Sequence, residues 1–211
     1  MYQPPHFRED RIDVMHDLMR AHPFATLVSL QASGLAADHL PLAVMPELSD
    51  KGTVCGHIAK ANPLWKERTV SPAVLAVFQG PHAYVTPSWY PSKKDHGKVV
   101  PTWNYAVVQA HGQLEFHDDR AWLLDHLNEI TRRQENHRPV PWEVSDAPED
   151  YLVRQLKGIV GIEFAITRLE GKWKASQNRS EQDRSGVQRG LLLELGVEVA
   201  AVSPFVGGDY K

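Results

Sequence analysis

FATLVSLQASGLAADHLPLAVMPELSDKGTVCGHI, residues 24–58, reads as three strands in quick succession, at 24–30, 36–44 and 53–58. Between them stand QASG (31–34) and SDKG (49–52), short polar stretches that end in glycine, which is the punctuation of hairpins. Three antiparallel strands are therefore predicted to follow one another.

On the N-terminal side, Val14, Met15, Leu18 and Met19 recur at helical spacing, and His22-Pro23 ends that short amphipathic helix. On the other side, Asn62-Pro63 places an N-cap residue before a proline suited to the first position of a short helix. Further strands are predicted at 73–78, 83–86, 103–116 and 159–167. Residues 119–131 are predicted helical, with Trp122, Leu123, Leu127 and Ile130 on one face, and Ser145-Asp146-Ala147-Pro148 opens a helix carrying Tyr151, Leu152 and Leu156. The polar excursion 87–100 is longer than an ordinary hairpin loop, and a functional loop and a mobile one fit it equally.

Six or seven mostly consecutive strands with few crossovers predict a mainly β fold, an antiparallel sheet closed into a small barrel with flanking α-helices. Regular strand-helix alternation and a GxGxxG turn are both missing, which argues against a Rossmann unit. No repeat or linker marks a second domain, so one domain is expected over 1–190. Residues 191–211 form a C-terminal tail that begins by extending the last helix.

Composition narrows the function classes. With 42% apolar and 23% charged residues and no long apolar run, a membrane span is excluded. The first ten residues lack the basic start and apolar centre of a secretory signal, so a cytoplasmic location is expected. Cys55 is the only cysteine, which rules out an intrachain disulfide. A net charge of −3, with Lys and Arg dispersed among Asp and Glu, gives no overall field for nucleic acid, although a local basic patch stays open.

Three segments carry candidate chemistry. GHIAKANP (56–63) runs from a strand into a helix start, where free N–H groups and Lys60 suit a phosphate monoester; a capped surface helix with a solvated lysine is the other reading. GKWKASQNR (171–179) packs an indole, several cations and three hydrogen-bonding side chains behind a strand. Trp173 could give a heterocycle a flat contact while Lys174, Ser176, Gln177 and Arg179 reach its oxygens and nitrogens; an exposed basic turn over a core tryptophan fits as well. In PTWNY (101–105) strand alternation sets Thr102 and Asn104 on one face and Trp103 and Tyr105 on the other. No HExxH, Cys/His cluster or GxSxG elbow occurs, and neither a metal site nor a catalytic side chain is predicted.

These segments, with others in the same order, resemble the PaiB family of FMN-binding negative transcriptional regulators, which belong to the pyridoxamine-phosphate-oxidase-like split barrels. The matching blocks are MYQPPHF (1–7), PFATLVS (23–29), HLPL (39–42), GHIAKANP (56–63), FQGP (78–81), PSWYPSK (87–93), VPTWNY (100–105), VGIE (160–163) and GKWKASQNR (171–179). The resemblance implies a homodimer whose protomers share two FMN sites across their interface. It implies that His39, Leu40, Pro41, His57, Ala59, Lys60 and Asn62 border the phosphate and ring. Thr102, Trp103, Asn104, Trp173, Lys174, Ser176, Gln177, Asn178 and Arg179 are then the ring-side contacts. DNA is a partner by family analogy alone, since no convincing helix-turn-helix pair is visible. An FMN-dependent oxidoreductase is the alternative, because the same barrel hosts enzymes whose cofactor carries the electrons, and haem binding is a further one, suggested by the eleven histidines.

Overall fold

The computed structural model describes residues 1–66 and 71–199; the end of the expected tail, 200–211, lies outside the described residues. Among the described residues one sheet is built from β1 (Arg8–Glu9), β2 (Phe24–Gln31), β3 (Gly34–Pro41), β4 (Ala43–Met45), β5 (Thr53–Ala59), β6 (Ala73–Val85), β7 (Thr102–Gln113), β8 (Glu115–His117) and β9 (Ile159–Lys174). The helices are α1 (Ile12–Ala21), α2 (Pro63–Lys66), α3 (Ser92–His96), α4 (Arg120–Glu135), α5 (Glu149–Lys157) and α6 (Glu181–Val199). The strand order is β3-β2-β6-β7-β9-β5-β4, with β1 and β8 also paired to β9. β2 is antiparallel to β3 and β6, and β5 to β4 and β9, so the expected mainly antiparallel architecture is present.

Strand chemistry explains the pattern. In β2, Ala25, Leu27, Ser29 and Gln31 are buried in strict alternation, the period of a half-buried sheet. The predicted strand 36–44 is divided at Leu42. Up to Pro41 the chain pairs with β2, then the Leu42 N–H donates to the Pro23 carbonyl at 2.8 Å, and Ala43–Met45 pairs with β5 instead. The predicted strands at 73–78 and 83–86 are one, β6, running through Gly80-Pro81; a Gly-Pro pair would break a helix but is tolerated where an extended chain needs no donor. β9 continues past the predicted end at Thr167 to Lys174, so Gly171 lies within a strand. The 87–100 excursion holds a short turn, Pro87–Trp89, and α3.

The described chain forms two compact units. The first comprises Met1–His22, Phe78–Gln109 and the chain from Glu170 on; the second comprises Pro23–Val77 and Ala110–Leu169. β6, β7 and β9 are each long enough to contribute to both. In the first unit, Ala83, Val85, Tyr90, Ala175, Val187 and Leu191 form a buried cluster under α6, with Trp89 packed against it. In the second, the Asp119 side chain caps α4 by accepting from the Trp122 N–H at 2.9 Å, which fixes where that helix starts over the sheet.

Candidate functional site

The second unit holds the candidates from β3 and β5. His39 and Pro41 are exposed on β3 while Leu40 is buried between them; Ala59 is exposed at the end of β5. Lys60 pairs with Asp118 at 2.5 Å, and the Asn62 amide donates to Asp38 at 2.7 Å while its oxygen accepts from the Leu64 N–H at 2.8 Å. The single positive charge of this segment thus already has a carboxylate, and α2 is only a four-residue helix.

His57 does not stand alone. Its Nδ1 lies 3.2 Å from Nε2 of His126 on α4, and the Trp122 indole stacks with both His126 and His117, at centroid distances of 5.2 and 4.5 Å. Burial lowers the pKa of both His57 and His126; His126, which also feels His57 and Arg133, is held down to about 4. Gly161 of β9 makes room for the stack, since a Cβ there would sit 2.2 Å from the Trp122 ring. Cys55 faces Glu163 at 3.8 Å, and burial together with that carboxylate pushes its thiol up to about 12, which leaves it protonated and unreactive. Among the described residues no group of three His, Cys, Asp or Glu side chains is placed to hold a metal ion.

The first unit gathers the candidates from β7 and β9. Lys174 Nζ donates to Thr102 Oγ1 and, at 2.7 Å, to the Trp103 carbonyl, which ties the two strand ends together. Behind them Asn104 and Ser176, both buried, exchange a hydrogen bond at 3.2 Å. Ser176 adopts φ +65°, a left-handed conformation uncommon outside glycine, and its carbonyl accepts from the Arg179 N–H at 2.9 Å to close the turn. Gln177 is spent on the backbone, accepting from the Ala175 N–H at 2.8 Å and donating to the Trp173 carbonyl at 2.6 Å. Asn178 is exposed, and the Arg179 guanidinium lies 5.0 Å from the Tyr90 ring centroid.

The two tryptophans divide as the strand alternation dictates. Trp173 is 6% exposed and packs beneath the sheet against Gly171, beside Met15, so it offers no free face to a ring. Trp103 is 53% exposed, with Tyr84 and His82 beside it at 5.9 and 6.2 Å. Of these two indoles, Trp103 is the accessible one. The sequence marked Tyr105 as sharing a face with Trp103 and Lys172 as one of the cations of GKWKASQNR, but not Tyr84 and His82, whose rings lie beside Trp103 only because β6 and β7 meet.

The sheet has the fold of the split barrels. An FAD- and haem-binding protein from Mycobacterium smegmatis superposes with a TM-score of 0.61 at 12% identity, covering 84% of this chain and 78% of the other. The flavocytochrome Anf3 from Azotobacter vinelandii gives 0.59 at 12% identity, covering 85% and 75%. More particularly, the chain belongs to the family described as "Putative FMN-binding domain", matched over residues 1–168, and within it to the PaiB type. The protease synthase and sporulation protein PAI 2 of Bacillus subtilis is 33% identical, with 92% of this chain and 90% of that protein covered. An uncharacterized protein of Aspergillus fumigatus is 36% identical, with 94% and 93% covered.

Proposed function

We propose that this chain binds FMN and acts as a homodimeric, PaiB-type negative transcriptional regulator in the cytoplasm. The observation that carries the flavin reading is the half-exposed Trp103 indole beside the Lys174–Thr102 clamp, in a chain whose family is described as FMN-binding. The residues fit the group. Trp103 supplies a flat apolar face for an isoalloxazine, and Lys174 and Arg179 supply cations for its oxygens and phosphate. The buried Asn104–Ser176 pair holds the Ser176–Arg179 turn in place beside them. The contacts His39, Pro41 and Ala59 in the second unit are exposed edge positions and rest on the resemblance alone. When bound, FMN supplies one- and two-electron redox chemistry, while the chain's own residues bind and orient it. Homodimerisation and repression likewise rest on the resemblance to the PaiB family.

An absorption spectrum after FMN addition and desalting tests the flavin reading. Retained flavin in the wild type, reduced in Trp103→Ala and Lys174→Ala, is expected; equal retention in all three rejects the assignment. A gel shift at physiological salt tests repression, and binding no tighter than to random DNA rejects a direct role on DNA.

A further inference from the structure

We infer that the second unit carries a binding cleft for a neutral hydroxylated ring, a sugar of the pyranose class, between one stripe of α4 and the segment 136–144 that folds back beside it. The cleft holds about 380 Å³, within the size range of small-molecule sites, and its lining belongs wholly to that unit. It is independent of the flavin reading above.

Helix spacing builds one wall. Asn128, Thr131, Arg132 and Glu135 stand at i, i+3, i+4 and i+7 on α4, which sets them in one stripe along the cleft. A polar stripe on a surface helix needs only water over it. Here the chain returns beside it and is fastened there. Glu135 accepts from the Arg138 guanidinium at 3.0 Å and from the Trp142 N–H at 3.2 Å, the Glu143 N–H donates to Asp146 at 2.9 Å, and Val144 is buried. These anchors act on the backbone around Trp142 and leave its indole 48% exposed at the opposite wall. Among the described residues that ring has no aromatic or cation partner.

The lining selects the ligand by what it leaves unengaged. Its charged groups already have partners within the chain: Arg132 pairs with Glu129 at 2.8 Å, Glu135 with Arg138, and the Glu143 carboxylate accepts from the Ser145 hydroxyl at 3.3 Å. Among the described residues the neutral side chains of Asn128, Thr131 and Asn136 make no hydrogen bond. An ionic ligand therefore finds no open counter-charge, while a neutral one meets two amides and a hydroxyl, which together both donate and accept. Sugar hydroxyls do the same, and the C–H bonds on one face of a pyranose suit the electron-rich face of an indole. A nucleobase would also use the indole, but its fixed pattern of donors and acceptors asks for equally fixed partners, and these three side chains are free to rotate.

Saturation-transfer-difference NMR on the full chain tests the inference, with methyl β-glucopyranoside, maltose and uridine as probes. Saturation of at least one of the two sugars is expected, strongest for the protons of one ring face. Trp142→Ala should weaken binding of that sugar roughly tenfold, and Asn136→Ala roughly three- to tenfold. Both side chains are exposed, and Asn136→Ala serves should Trp142→Ala fail to fold. No saturation of either sugar, a sugar signal that both variants leave intact, or uridine bound in place of the sugars overturns the inference.

Discussion

Nδ1 of His57 on β5 and Nε2 of His126 on α4 stand 3.2 Å apart, so one hydrogen bond joins sheet to helix and at least one of the two rings is neutral. Protonating both would place two cations in contact within a mostly buried setting.

The pH dependence follows with a definite sign. The folded chain holds His126 at about 4, below the 6.5 of a free histidine, so the unfolded chain binds the proton more readily. This contribution to stability is fully present above pH 6.5 and is lost as pH falls towards 4. At about 1.4 kcal/mol per pH unit its full size is roughly 3 kcal/mol. Urea unfolding at several pH values should show His126→Gln losing less stability than wild type across that window; parallel curves would sink the assignment.

Gly161 leaves room for the Trp122 ring, which stacks with two imidazoles. Gly161→Ala should destabilise by about 1–3 kcal/mol through overpacking. The same change in a Trp122→Leu background should cost much less, as measured in a denaturant double-mutant cycle. Additive losses would mean that the two positions do not meet.

Trp103 and Trp173 should separate cleanly. Trp173→Ala removes a buried indole and is expected to cost about 3–5 kcal/mol in denaturant. Trp103→Ala should change stability by less than about 0.5 kcal/mol, in line with other exposed positions. The reverse order would show that the strand carries its faces the other way round.

Asn104 and Ser176 are joined by buried hydrogen bonds, Asn104 Nδ2 donating to Ser176 Oγ and Ser176 Oγ to Asn104 Oδ1. Alanine at either position should cost about 1–3 kcal/mol, because the partner is left buried and unsatisfied. The double variant should lose less than the sum of the two; a purely additive result would show that the two groups find other partners.

The hairpin core was legible because a period of two and glycine-ended turns are local signals. β2 and β5 emerged within a residue of their expected ends. The errors arose where composition stood in for geometry. Gly80-Pro81 and Gly171 suggested breaks, yet both lie inside long strands, since pairing partners distant in the sequence decide whether a strand continues. The same limit applies to the site. Trp173 and its neighbours stood out by density, but which indole is accessible depended on the face that each strand turns to the helices. The His57–His126–Trp122–His117 group was scattered over 69 positions of sequence; only Trp122 and His126, four apart on one helix, were available as a pair.

The first unit is knitted from segments far apart in the chain. The Gln3 side-chain amide donates to the Gly171 carbonyl across 168 positions, and Arg8 pairs with Lys172. During synthesis the opening segment therefore waits for almost the whole chain to leave the ribosome before its strand has a partner, and closing so long a loop is slow. Neither unit is a contiguous stretch that could be cut out and expressed alone, so a truncation reaching back through β9 would strand the opening residues as well as remove the closing ones.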